Sequence, residues 1–328
     1  ISISQSFKIL AKRNNETARV YTINHTGSLV LDSKLAELRK LKYVSNAEKI
    51  PVYKHTLTPN DPDYGVVNNR WHLDQLGAEA AWDISTGCGN VLIAIVDDAV
   101  LTTHEDLSSK IYVNAGEIAG NGIDDDGNGY IDDVNGYDVA DGDNNPNPPS
   151  SASNTFFTHG THVAGIAASA SNNGLGNASI GYNSTIIPVK VKGDNNVSQG
   201  ALNNPMTGVE YAIAAGADVI NMSWGGYAYS AVHQLVFSQA YSEGIVCVAA
   251  AGNDGMSFLA YPANYTNVIS VGATSQANDL ATFTNISNDL DIFAPGVDIW
   301  STLAGGNSSY GSLSGTSMAA PMIVGLAA

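Results

Sequence analysis

The 328-residue chain carries 14 basic against 31 acidic residues, a formal charge of −17, with 44% hydrophobic and 14% charged residues. It is long enough for a large core and too apolar to be disordered, and its negative charge disfavours nucleic acid and anionic membrane as partners. Two cysteines, Cys88 and Cys247, cannot make a disulfide framework, and no apolar run approaches the ~20 residues of a membrane helix.

The opening Ile1-Ser2-Ile3-Ser4 has neither an initiator Met nor a signal-peptide pattern, so the expectation is that the original N-terminus lies upstream. Residues 1–58 read as a separate module, with ten of the fourteen basic residues falling between Lys8 and Lys54. Asp32 or Ser33 is placed to cap a helix whose Leu35, Leu38 and Leu41 recur at helical spacing, followed by an extended Val44 to Tyr53. Thr56 to Tyr64, with Pro59 and Pro62 among polar residues, reads as an exposed linker open to proteolysis.

Residues 59–328 read as a second domain. Its apolar runs Val91–Val96, Ile186–Val191, Val219–Met222, Ile245–Ala250 and Val268–Val271 predict buried strands, and His159–Ala170, Thr207–Ala215 and Ala231–Ser242 predict helices. Continuous apolar strands alternating with helices imply an α/β fold with a mostly parallel sheet covered on both faces, whose functional residues collect at the carboxyl ends of strands. Cys247, inside one such run, is expected to be a buried thiol.

Residues 114–158 interrupt this alternation with an Asp/Asn/Gly-rich stretch too long for an ordinary connection. Within it Asp124, Asp126 and Asn128 offer oxygens at alternate positions, Gly129 falls at the sixth place, Tyr130 offers a carbonyl at the seventh, and Asp132 stands at the ninth. That is the register of a calcium loop, although Asn135 replaces the bidentate Glu at the twelfth place and Asp133 or Asp138 is left to complete the shell.

Three further signals sit at predicted strand ends or helix starts. Asp97 ends an apolar strand, where a carboxylate is commonly a turn-former. His159-Gly160-Thr161-His162 opens a helix, but lacks the Glu of a zinc-protease His-Glu-x-x-His. Ser317, in Gly315-Thr316-Ser317-Met318-Ala319-Ala320-Pro321, stands at a helix start, where the dipole favours negative charge and where an ordinary cap is also common.

Together with Ala249-Ala250-Ala251-Gly252-Asn253, these motifs in the order Asp, His, Ser resemble those of subtilisin-like serine proteases, over roughly residues 60–328. The Ser, Asp/Glu, His order and Gly-x-Ser-x-Gly of α/β-hydrolases do not fit. The resemblance implies a triad of Asp97, His159 and Ser317, with Asn253 donating to the oxyanion. It implies a substrate cleft walled by Ser223, Trp224 and Gly225 on one side and by Ala250, Ala251 and Gly252 on the other. It also implies a second structural calcium at Asp106 and Asn173, a secreted monomeric endopeptidase acting on polypeptides, and an inhibitory propeptide in residues 1–58 that is released by autocleavage between Lys54 and Asn60. Final elements packing on the sheet would lie beyond Ala328. Asp98 and Ala99 depart from the Ser/Thr-Gly that usually follows the family's Asp, and strand alternation predicts that Asp98 points away from Asp97. The competing expectation is a catalytically dead fold kept as a calcium-dependent binding module.

Overall fold

A computed structural model describes residues 5–11, 19–25, 31–49, 57–150, 156–196, 198 and 200–328. The chain divides into two compact units, residues 1–55 and 56–328. In the first, β1 (Gln5–Ala11) pairs antiparallel with both β2 (Arg19–His25) and β3 (Val44–Lys49), and α1 (Leu31–Arg39) precedes β3. Leu35 of α1 is buried with Ala47 of β3, and Leu38 and Val44 flank them. The helix starts before Asp32 and Ser33, which therefore lie in its first turn and not at its cap, and Leu41 falls beyond its end and is exposed. Of the extended stretch expected from Val44 to Tyr53, Val44–Lys49 is strand β3, and the rest lies outside the described residues.

The second unit is an α/β fold. After α2 (Val67–Leu76) and α3 (Ala78–Trp82) come β4 (Leu92–Asp97), β5 (Tyr137–Asp138), α4 (His159–Ala168), β6 (Thr185–Lys190), α5 (Pro205–Ala214), β7 (Val219–Met222), α6 (Ala231–Ser242), β8 (Val246–Ala250), β9 (Val268–Thr274) and β10 (Ile292–Pro295). The seven strands form one parallel sheet in the order β10-β9-β8-β7-β4-β6-β5. A small hairpin, β11 (Ile299–Thr302) with β12 (Tyr310–Leu313), leads into α7 (Thr316–Ala327).

Alternation along β4 separates the two layers. Ile93 and Ile95 pack with Val163 and Ala164 of α4 and Met322 of α7, while Ala94 and Val96 pack with Val209 and Tyr211 of α5 and Phe237 of α6. From β4 the sheet grows outward to β6 and β5 on one side, then returns to place β7, β8 and β9 on the other. This reversal opens a crevice beyond the carboxyl ends of β4 and β7, the usual ligand position in such sheets. Cys247 is buried in β8 as expected. Among the described residues no helix is long and apolar enough to cross a membrane.

Residues 57–64 are not the exposed linker that their prolines suggest. Asp61 is 2% exposed and its carboxylate accepts the Asn172 and Asn173 N–H groups at 2.7 and 3.3 Å, while Leu57 N–H donates to Asp83 at 2.9 Å. The segment is tied into the second unit by these bonds and by packing of Leu57 and Tyr64 against Trp82 and Ile180.

Candidate active site

The carboxyl end of β4 presents Asp97, and the first residue of α4 presents His159 to it. His159 Nδ1 lies 2.8 Å from Asp97 Oδ1 and 3.0 Å from Oδ2, so the carboxylate fixes the proton on Nδ1 and leaves Nε2 as the basic nitrogen. Burial disfavours the imidazolium, but the charges of Asp97 and Asp98 outweigh it and hold the His159 pKa above the ordinary imidazole value.

Asp98 does not point away from this pair. β4 ends at Asp97, so strand alternation no longer governs the next residue, and the buried Asp98 turns its carboxylate to the start of α4. There it accepts from Gly160 N–H at 2.8 Å and His159 N–H at 3.2 Å, as well as from Ala99 N–H at 2.7 Å.

Ser317 is the second residue of α7, where a backbone N–H has no partner within the helix. Its Oγ donates to Ser223 O at 3.0 Å, and Ser223 Oγ donates to Ser317 O at 2.8 Å, so the two segments clasp each other. Asn253 follows the end of β8. Its Oδ1 accepts Thr316 N–H at 2.8 Å and Thr316 Oγ–H at 2.9 Å, an arrangement that fixes the amide flip and leaves Nδ2 as an oriented donor. A Cβ on Gly315 would stand 3.3 Å from that Nδ2, so glycine keeps the space in front of the amide.

These groups line one cleft of about 1010 Å³ together with Ser223, Trp224 and Gly225. Trp224 is pinned by Nε1–H donation to Val96 O at 2.9 Å. The expected opposite wall is made by other residues. Ala250 and Ala251 are buried, Gly252 does not line the cleft, and Asn253, Tyr261, Pro262 and Tyr265 do. Strand β8 runs through the core up to Ala250, so Ala249 and Ala250 pack in the layers on the two faces of the sheet before the chain emerges at Asn253.

In the acidic loop the ligand oxygens of Glu117, Asp124 and Asp126 lie within 4.8 Å of one another, a group that could hold a metal ion. Glu117 was missed in the sequence, because it precedes the loop register by seven residues. Its carboxylate gathers the loop by accepting from Asp125, Asp126 and Asp132 N–H groups at 2.8, 3.1 and 3.0 Å. Asn128 adjoins the group, donating to Asp126 at 3.3 Å, and its Oδ1 accepts Tyr130 N–H at 2.8 Å. Asp132 instead accepts from Asn121 and Gly122, and Asp133 from Asn114, Asn128 and the Tyr211 hydroxyl. Asp138 belongs to a different cluster, 2.5 Å from the Lys190 ammonium.

Asp106 and Asn173 do meet: Asn173 Nδ2 donates to Asp106 Oδ1 at 2.8 Å, and Asn177 N–H to Oδ2 at 2.9 Å. Burial pushes the Asp106 carboxyl up to about 6 and also raises Asp61, which holds the same loop from its other end. Asp61 was hidden by the linker reading. Asp61 and Asp106 thus hold the loop of residues 172–177 as two buried carboxylates.

The chain matches the subtilase family over residues 89–328. It is 36% identical over 285 residues to the thermophilic serine proteinase of Bacillus sp. (strain AK1), covering 87% of this chain and 62% of that protein. It is 34% identical over 284 residues to the halolysin-like extracellular serine protease Nep of Natrialba magadii, covering 87% of this chain and 47% of that one. The chain thus spans about half to three-fifths of these two relatives. A solved protease structure from Pseudoalteromonas arctica PAMC 21717 shares the fold with a TM-score of 0.64 and 30% identity, covering 83% of this chain and 86% of that one.

Proposed function

The chain belongs to the subtilase family, and from that premise we propose that it is a serine endopeptidase using Asp97, His159, Ser317 and Asn253. The observation that carries the reading is the two-oxygen hold of Asp97 on His159 Nδ1, in the same cleft as a serine at a helix start and an amide with its acceptor side locked. His159 Nε2 takes the Ser317 proton as Oγ attacks the scissile carbonyl, then returns it to the leaving amine. Asp97 stabilises the imidazolium without taking the proton. The tetrahedral oxyanion is met by Asn253 Nδ2 and the Ser317 N–H, supported by the α7 dipole. The Ser317 hydroxyl, which donates to Ser223 O, has to give up that bond to serve His159.

Polypeptides are the substrates in this reading. The glycine backbone at Gly225 and the aromatic wall of Trp224, Tyr261 and Tyr265 suit an extended chain with apolar side chains. Calcium would be held by Glu117, Asp124 and Asp126, with Asn128 adjoining, and a second ion by Asp61, Asp106 and Asn173. Secretion is supported by the Natrialba relative, an extracellular serine protease. Residues 1–58 act as the propeptide, their basic character complementing the acidity of the rest.

The test is labelling by a fluorophosphonate probe together with peptide hydrolysis. Both are expected in the wild type and neither in Ser317→Ala, while Asn253→Ala is expected to lower turnover by about 10²–10³, the loss measured for this donor in a member of the family. A Ser317→Ala protein that hydrolyses peptides normally overturns the assignment. A folded wild type that takes no probe supports the binding-module alternative.

A further inference from the structure

We propose that Asp98 is a positioning residue for His159: its carboxylate ties the first turn of α4 to the end of β4 and adds a second negative charge facing the imidazole. The inference rests on the triad reading. Thr158, the residue before α4, does not cap the helix, and its Oγ instead accepts from Ala304 N–H at 3.1 Å. The first amides of α4 are therefore taken up by Asp98, 61 and 62 residues away in sequence. An acceptor on another element fixes the position of a helix as a local cap does not.

The fit is close. A Cβ on Gly160 would come 2.5 Å from Ala99 O and 2.8 Å from Asp97 Cβ, so α4 begins in direct contact with the Asp97–Ala99 backbone. His159, one residue earlier, is then set over Asp97 by the same contact that Asp98 secures. At 6% exposure the Asp98 carboxylate has lost most of its water, and the N–H groups and positive end of α4 replace it.

Among the described residues, the charges that face His159 are few. Asp97 and Asp98 approach from the end of β4, and Lys192 from the segment after β6, its ammonium held by Phe156 O at 2.6 Å and Ser198 O at 2.9 Å. His162, one turn along α4, is kept neutral by burial; of the other elements packed on α4, β6 carries Lys190, which is paired with Asp138 and Asp194, and α7 and β11 carry no titratable side chain. Burial and Asp97 push the Asp98 carboxyl up to about 6. Above that pH Asp98 is ionised while His159 titrates, and its charge adds to that of Asp97 in favouring the imidazolium. The base becomes available only at a higher pH than it would beside Asp97 alone.

Asn at position 98 keeps an oxygen for the amides and removes the charge; Ala removes both. The decisive measurement is an NMR titration of the His159 imidazole in the Ser317→Ala background, which reads the ring without requiring turnover. Asp98→Asn is expected to lower its midpoint by about half to one pH unit. In the enzyme with Ser317 intact, the acid limb of kcat/KM is expected to move down equally. Asp98→Ala is expected to lower kcat about tenfold through misplacement of the ring with little change in KM, and Asn is expected to restore most of that loss. An unchanged His159 midpoint in Asp98→Asn overturns the proposal, even if Asp98→Ala proves unable to fold. Should the triad reading fail instead, Ser317→Ala would leave hydrolysis intact while the imidazole titration still reports on Asp98.

Discussion

At Glu117, Asp124 and Asp126 the ligand oxygens converge without an ion pair to any basic side chain among the described residues. At Asp138, Asp141 and Asp194 a similar convergence surrounds the Lys190 ammonium, 2.5 Å from Asp138, 3.8 Å from Asp141 and in contact with Asp194. The first cluster is made by an irregular segment that bends through positive φ at Gly127, Gly129 and Asp132. The second is made by sheet register, since β5 pairs with β6 so that Asp138 stands opposite Lys190. The first could be neutralised only by a cation from solution, whose occupancy would follow concentration; the second carries its cation covalently on a buried strand. Acidic clustering therefore does not by itself indicate a calcium site. What distinguishes the two is whether the fold supplies a base of its own.

The largest expected effect is the loss of calcium. With free calcium at a thousand times its Kd, bound ion stabilises the fold by about 4 kcal/mol, so chelation is expected to lower Tm by roughly 10 °C in a domain of this size. Neutralising the first cluster in the triple variant Glu117→Gln, Asp124→Asn, Asp126→Asn is expected to remove most of that dependence. Thermal unfolding with and without chelator decides it. A Tm indifferent to chelator would break the comparison at its first half.

Next in size is Lys190→Met. Lys190 and Asp138 are each about 1% exposed at the side chain, and removing one partner of a buried pair strands the other charge, at a cost of about 3 kcal/mol. The variant also turns the second cluster into a likeness of the first. Calcium is expected to raise its Tm more than it raises that of the wild type. An equal calcium response in the two proteins would show that the carboxylates around Lys190 cannot accept an ion.

This contrast was only half legible in the sequence. The strands β4, β6, β7, β8 and β9 and the helices α4, α5 and α6 stood out because their apolar runs have a clear period and turn residues between them. The acidic loop stood out because its register is local. Glu117, Asp61 and the Lys190 cluster did not, because each acts across a long separation: Glu117 on amides up to Asp132, Asp61 on Asn172 and Lys190 on Asp138. Asp98 was misread for a related reason, since strand alternation was carried one residue past the end of β4. The two-residue β5 is too short to leave a periodic signal, so the register that pairs Asp138 with Lys190 becomes visible only in the assembled sheet.

The smallest expected effect is in pH. Even beside Lys190, burial raises the Asp138 carboxyl above its ordinary value, and the ammonium works in the opposite direction. In Lys190→Met that opposing charge is gone, so the carboxyl rises further. The native state then takes up a proton at a pH where the unfolded chain remains ionised. Stability consequently rises as pH falls from 8 toward about 5, and the gain levels off only below the ordinary carboxylate range, where the unfolded chain is protonated as well. The wild type shows less of this relief, so the Tm gap between wild type and Lys190→Met is expected to narrow on acidification by the equivalent of about 1 kcal/mol. Titrating groups outside the Lys190 cluster are common to both proteins and cancel in the difference. In the chelated state, a gap of constant width from pH 8 to 5 would mean that Asp138 is not the charge left behind by Lys190, and the stabilising role of the ammonium would have to be sought at Asp194 instead.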